Sequence, residues 1–164
     1  MLMRTKVALA AATAVMLAGA IQAAPPTPIY LKKAGASDLY EKTSSQIVLG
    51  STRNPDLRRF ASMMVTDHTK STAMVKSAAL RSGVRPNPPM LEPMQRRMVA
   101  DLRRATGRDR DRLYIEQQRE AHRMALELQQ DYARTGSAPA LRRVASNIVP
   151  VVQHHIEMLG TMGQ

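Results

Sequence analysis

The sequence predicts an all-α protein, a bundle of four long helices with one additional short helix. Three observations carry this. Apolar residues recur at three- and four-residue spacing through successive segments, giving each an inward-facing stripe. No stretch shows the alternation or the long β-branched run of a strand. The segments are separated by proline and glycine signals of the kind that start and end helices.

Residues 1–23, MLMRTKVALAAATAVMLAGAIQA, stand apart. Arg4 and Lys6 precede an apolar run from Val7 to Ala20, and small residues follow, the layout of an export signal peptide. The expected division is a signal peptide over 1–23, cleaved after Ala23 or alternatively after Ala20, and a single helical domain over 24–164. The apolar run falls short of the roughly 20 residues of a spanning helix. No transmembrane helix is therefore expected in the mature protein, and the expected location is periplasmic or secreted. The chain has no cysteine, which excludes disulfides, thiolate chemistry and a lipid anchor on an N-terminal Cys.

The first helix follows Thr27 and Pro28. Its stripe, Leu31, Ala34, Asp38, Glu41, Ser45 and Val48, is polar for a core face, and Gly35 suggests a break or kink. The second has Asn54 as cap, Pro55 and Asp56 in its first turn and Gly83 past its end. It carries Leu57, Ala61, Met64, His68, Ser71, Val75 and Ala78 on one seam, with Asp67 at the shoulder of His68. After the proline-rich VRPNPP, a short basic helix runs from about Leu91 to Ala105. The next, from about Asp109 to Arg134, carries Ile115, Gln118, His122, Ala125 and Tyr132, and Gly136 ends it. Ser137 and Pro139 open the last, with Leu141, Val144, Ile148, Val151, His155 and Met158 as its stripe. Pro150 deprives the Ser146 carbonyl of its donor, so a kink is expected before His154 and His155.

Twenty-four Lys and Arg against 13 Asp and Glu give a formal net charge of +11. Such a charge favours anionic partners, and for an exported chain these are anionic components of the envelope. Paired arginines at Arg58–Arg59, Arg96–Arg97, Arg103–Arg104 and Arg142–Arg143, with Arg108, Arg110 and Arg112, suit phosphates. One Phe and four Tyr supply little base stacking, so nucleic acid is not an expected partner. Gly-x-Ser-x-Gly, His-Glu-x-x-His and a phosphate-cradling glycine loop are all missing, and no enzymatic reaction is assigned.

Chemistry concentrates on four helices, each with a metal-competent residue on its apolar seam: Glu41, His68 with Asp67, His122 and His155. Neutral imidazole and carboxylate suit iron, zinc or manganese, and bundle cores assemble such sites from facing helices. Asp67, Glu120 or Tyr114 could hold the ring nitrogen a metal does not use. The same residues also fit a metal-free, hydrogen-bonded cluster. The lack of a Glu-x-x-His motif counts against a di-iron carboxylate centre. Copper is a further candidate through thioethers, since Met90, Met94 and Met98 recur every four residues and Met63, Met64, Met74 and Met158 add sulfurs.

FASMMVTDH at Phe60 to His68, YIEQQREAH at Tyr114 to His122 and PVVQHH at Pro150 to His155 carry a resemblance. Over nearly all of its mature length the chain resembles the exported bacterial domain-of-unknown-function family four-one-four-two, a ferritin-like helical bundle. The resemblance places the family's polar positions on Glu41, Asp67, His68, His122 and His155, and matches Asp111 and Tyr114 to its element at the start of a helix. Arg110 stands where the family has an aromatic, and Val149 with Pro150 where it has Leu-Pro. The family's activity is unassigned, so the resemblance implies fold and export. The expected function is an exported ferritin-like bundle that binds a transition metal through a buried Glu/Asp/His cluster. The alternative is a non-enzymatic interaction module whose basic surface binds anionic envelope components.

Overall fold

The structure is a computed structural model that describes residues 24–162. The expected signal peptide and its cleavage site lie outside the described residues. Five helices are present and, among the described residues, no strand: α1 (Thr27–Leu49), α2 (Pro55–Arg81), α3 (Pro93–Arg104), α4 (Gly107–Thr135) and α5 (Pro139–Thr161). This is the expected bundle of four long helices plus a short one, compatible with a ferritin-like arrangement. No helix among the described residues is long and apolar enough to cross a membrane.

Short links join α1 to α2 and α4 to α5, as expected of antiparallel neighbours. The two hairpins pack so that α1 lies against α2 and α4, and α5 against α2 and α4; α3 lies on α1 and α4. Buried polar side chains fix the register of α1 on α4. Thr27 bonds Tyr132 (2.6 Å), Tyr30 donates to Gln129 (2.9 Å) and Tyr40 to Gln117 (3.0 Å), Gln118 donates to Ser44 (3.1 Å) and Ser45 bonds Tyr114 (2.8 Å). The polar stripe read from α1 is therefore a row of hydrogen bonds in an otherwise apolar interior. Burial pushes the hydroxyls of Tyr30, Tyr40 and Tyr114 well above the usual tyrosine range, so they remain protonated.

Two apolar clusters fill the bundle. One gathers Tyr30, Ala34, Val75, Ala78, Tyr132, Leu141 and Ile148; the other gathers Val48, Leu57, Phe60, Met64, Leu102, Tyr114 and Leu159. Along each long helix the metal-competent residues fall between the two.

The caps follow the sequence, with adjustments. The Asn54 side chain accepts from Asp56 and Leu57 at 2.9 and 3.2 Å. At the far end of α2, Gly83 takes φ +72°, and the Val84 amide returns to the Ala79 carbonyl at 2.9 Å. Thr27 is the first residue of α1, and its hydroxyl bonds Tyr132 and Ser137 instead of capping the helix. Helix α3 starts at Pro93, because Glu92 and Gln95 form a capping box ahead of it. Gly35 does not break α1; a Cβ there would meet the Pro89 ring at 3.4 Å, an ordinary contact.

Helix α5 continues through Pro150, and its buried face differs from the expected stripe beyond that point. Val152 and Leu159 are buried, while Val151 is 39% exposed and Met158 only partly covered. The expected stripe advanced by about 3.5 residues per step, whereas a straight helix turns every 3.6, a drift of about 20° per heptad.

Arginines close the helix C-termini. Arg58 donates to the Leu49 and Thr52 carbonyls beyond α1, and Arg110 to those of Leu102, Arg103 and Ala105 at the end of α3. Arg119 donates to Leu159 and Met162 at the end of α5, and Arg142 to Gly136 after α4. These cations satisfy carbonyls that have no intrahelical donor and sit at the negative ends of the helix dipoles.

Gly136 is sterically required. A Cβ there would lie 2.6 Å from both the Tyr132 ring and the Tyr132 carbonyl oxygen, and that ring stacks on Tyr30 with centroids 3.8 Å apart. Gly136→Ala is expected to cost about 2 kcal/mol or more, read as a lowered urea midpoint. An unchanged midpoint would show that the Tyr30–Tyr132 stack does not constrain this turn.

Candidate metal centre

The layer between the two apolar clusters holds one histidine from each of three helices: His68 of α2, His122 of α4 and His155 of α5. Their exposures are 5, 0 and 1%. One ring nitrogen from each lies within 4.8 Å of the other two. Helical spacing gave only the direction of each side chain, and the structure puts all three at one height.

Each ring is held from outside by an acceptor. His68 Nδ1 lies 2.9 Å from Asp38 Oδ1, and the Thr72 hydroxyl lies 3.0 Å from the second Asp38 oxygen. His122 Nδ1 lies 2.9 Å from the Gln118 carbonyl oxygen, and His155 Nε2 lies 3.0 Å from Asp67 Oδ2. A carboxylate or a backbone carbonyl only accepts, so in each case the ring nitrogen is the donor. In the neutral imidazoles this leaves lone pairs on His68 Nε2, His122 Nε2 and His155 Nδ1. The last two are 3.3 Å apart, and His68 Nε2 has no hydrogen-bond partner.

Burial holds the His122 imidazole down to about 3, helped by the neighbouring His68 and His155, and holds His155 down to about 4. Both rings are therefore neutral near pH 7, and two lone pairs face each other with no proton between them. For His68, burial also pulls downward, but the hydrogen bond to Asp38 and the charges of Glu41, Asp38 and Asp67 outweigh it and the pKa is raised. Glu41 is fully buried beside this group, its Oε1 lying 3.6 Å from His122 Nδ1, and neither carboxylate oxygen has a hydrogen-bond partner. Burial pushes its carboxyl up to about 7.

Of the residues singled out from sequence, His68, His122 and His155 converge and Glu41 borders them. Asp67 holds His155 across the bundle, not its neighbour His68. Asp38 was read only as a seam residue, yet it is the partner of His68; the signal was its place one turn before Glu41 on the same buried stripe. Glu120 is exposed and pairs with Arg123, so it holds no histidine, and the Tyr114 hydroxyl bonds Ser45. Met64 is wholly buried among apolar neighbours, with Met63 and Met158 packed beside it and Met74 against the other cluster. These four methionines are core filler.

Nine of the arginines are engaged. Besides the four arginines on helix ends, Arg59, Arg104, Arg112, Arg123 and Arg134 pair with Asp56, Asp101, Asp109, Glu120 and Asp131 three residues away. Arg110, in the aromatic position of the resemblance, ties α3 to α4 and reaches Ser51 Oγ at 2.8 Å.

Fold and site together define a class: antiparallel helical bundles with a convergent histidine triad in the core, two rings backed by carboxylates and one by a backbone carbonyl. The chain belongs to the DUF4142 family of domains of unknown function, whose model matches residues 12–162. No curated protein matches it. Among solved structures it is similar to a DUF305 protein of Streptomyces coelicolor described as a presumed secreted protein, at 14% identity and TM-score 0.68, over 82% of this chain and 88% of that one. A DUF305 fragment from Deinococcus radiodurans matches at 16% identity and TM-score 0.70, over 85% and 96% of the two chains. CopM in its Cu(I)-bound form matches at 16% and 0.70, over 83% and 94%. At these identities the likeness is one of fold.

The histidine pKa values set a pH dependence for the metal-free protein. The unfolded chain takes up protons near the ordinary value of 6.5, while folded His122 and His155 stay neutral to about 3 and 4. The unfolded state binds more protons in that window, so stability falls as pH drops from about 6.5 to 4. Glu41, raised from 4.5 to about 7, acts in the opposite direction, one group against two. His68 acts in that direction too, but only above about 6.5. Denaturation midpoints are expected to fall on acidification, with a flatter profile for His122→Gln; a midpoint that holds or rises would contradict neutral burial.

Proposed function

We propose that this chain is an exported helical-bundle protein that holds one transition-metal ion, with His68 Nε2, His122 Nε2 and His155 Nδ1 as donors and Glu41 as the neighbouring carboxylate. The observation that carries the reading is the orientation of the lone pairs. Three imidazoles are each anchored through one nitrogen, and the other nitrogens converge with nothing to receive them. Outer carboxylates and carbonyls that fix the tautomer are the usual support of metal-bound histidine. The 3.3 Å between His122 and His155 also suits an ion with bonds of about 2.0–2.1 Å, whose tetrahedral donors stand roughly 3.3 Å apart.

Neutral imidazoles favour zinc, copper or iron over magnesium, calcium or manganese, whose preferred donors are oxygen. A fold neighbour is described in a Cu(I)-bound form, which puts copper beside zinc among the first ions to test. None of the three histidines lines the groove beside Tyr40 and Ala121 or the one beside Asn54 and Asp111, and all three are buried. A sealed centre supports holding an ion more than turning over a substrate. Export rests on the Arg4 and Lys6 leader pattern and on the secreted description of one neighbour. The basic-surface alternative rests on net charge alone, and nine of its arginines are engaged by helix ends and neighbouring acids.

The test is elemental analysis of untagged protein prepared without chelator, followed by titration of the metal-free form. Near-stoichiometric metal is expected in the unaltered protein, and its loss in His68→Ala and His155→Ala with the helical signal retained. Asp67→Asn is expected to weaken binding about 10- to 100-fold. Metal content unchanged in both alanine variants would refute the reading.

A further inference from the structure

A groove of about 340 Å³ is bordered by α1, α3 and α4. Tyr40 and Ala121 line it, and each is the chain neighbour of a residue at the histidine layer, Glu41 and His122. Its apolar lining is rich in sulfur. Met94 and Met98, one turn apart on α3, face the same groove as Met124 of α4. Met94 is 39% and Met124 43% exposed, two of only six large apolar side chains left exposed among the described residues. Core filling accounts for Met64 but not for these.

The groove lacks the chain's excess of positive charge. Lys and Arg outnumber Asp and Glu by 24 to 13 overall, yet Glu92, Glu120, Glu127 and Asp131 line this groove against Lys33 as its one cationic side chain. Glu120 and Asp131 also pair with Arg123 and Arg134, and Lys32 lies 3.8 Å from Glu92, all three cations standing outside the lining. With Lys33 and these three partners the carboxylates are offset, so the groove is near neutral on a chain that is basic overall, and a cation is repelled less here than elsewhere.

We propose that the groove binds a soft monovalent metal ion, copper(I) or silver(I), through the thioethers of Met94, Met98 and Met124. Neutral, polarisable thioethers select Cu(I) over zinc, and in a chain without cysteine they are the only soft donors. The ion binds and leaves in one oxidation state. This site is separate from the histidine centre and stands whether or not that centre holds metal.

The test is an anaerobic titration with Cu(I) against a colorimetric Cu(I) chelator, repeated with redox-inert Ag(I). It compares the unaltered protein, M94L/M98L/M124L and the same triple variant carrying His68→Ala. Leucine nearly conserves the methionine volume, and circular dichroism checks the fold. The leucine variant is expected to lose one equivalent of Cu(I) and of Ag(I) while keeping its zinc stoichiometry. If the histidine centre also takes Cu(I), a second equivalent disappears only on adding His68→Ala, so the two sites are scored separately. Equal Cu(I) and Ag(I) binding with and without the three methionines overturns the proposal. So does a groove that takes up a basic amphipathic peptide but neither ion.

Discussion

The structure depends on a constraint imposed by α1: a helix that must bury Asp38, Glu41, Ser44 and Ser45 needs partners for them at fixed heights. A buried polar group without a partner costs on the order of 1–3 kcal/mol, so the helix opposite α1 cannot simply be apolar. Helix α4 supplies Gln118 and Tyr114 to Ser44 and Ser45, and Gln117, Gln129 and Tyr132 to Tyr40, Tyr30 and Thr27, while His68 and Thr72 of α2 meet Asp38. A slip of one residue would turn these groups away from one another. Register here comes from hydrogen-bond matching, and the apolar clusters above and below complete the packing.

Most of α1's buried polar groups are satisfied in this way, but Glu41 is not. Beside it, three imidazoles turn their donors outward and their lone pairs inward. Such a layer is costly as an apolar packing unit, since facing lone pairs and an unpartnered carboxylate both resist burial. A cation resolves both at once. Protons substitute only in part: the raised His68 can carry one beside Glu41, but burial holds His122 and His155 neutral near pH 7. The same outer contacts with Asp38, Asp67 and the Gln118 carbonyl that set the tautomers also prevent the rings from flipping to relieve the conflict.

Much of this was legible in the sequence because helical period fixes direction. The seams of α1, α2 and α4 were read correctly to the last buried residue named, including the polar members that identify the site. Reading failed where direction is not enough. The second half of α5 departed from its expected stripe because a heptad count drifts against a 3.6-residue turn, although His155 lies where both counts agree. Pairing across the bundle was also hidden. Asp67 adjoins His68 in sequence but serves His155 in space, whereas Asp38 serves His68 from thirty residues away. Axial height, which decides whether three histidines meet, depends on link lengths and caps such as the box at Glu92 and the turn at Gly83, and periodicity carries none of that.

The location of the layer bears on what the site can do. It lies between two packed clusters, on helices whose ends are tied by Arg58, Arg110, Arg119 and Arg142, so the donors are carried on rigid elements and not on loops. Preorganisation of this kind lowers the ordering cost of binding. It also means that an ion held there bridges α2, α4 and α5, joining the two hairpins through one centre. In a chain with no disulfide, an ion at that centre would add a strong link between its halves. Ion binding at such a centre adds to folding stability in proportion to the logarithm of ion concentration over its dissociation constant. The helix pair that depends least on the ion is α1 with α4, whose register is already fixed by hydrogen bonds, and the pairing that gains most is α2 with α5, where His68 and His155 would share the metal and Asp67 already spans the gap.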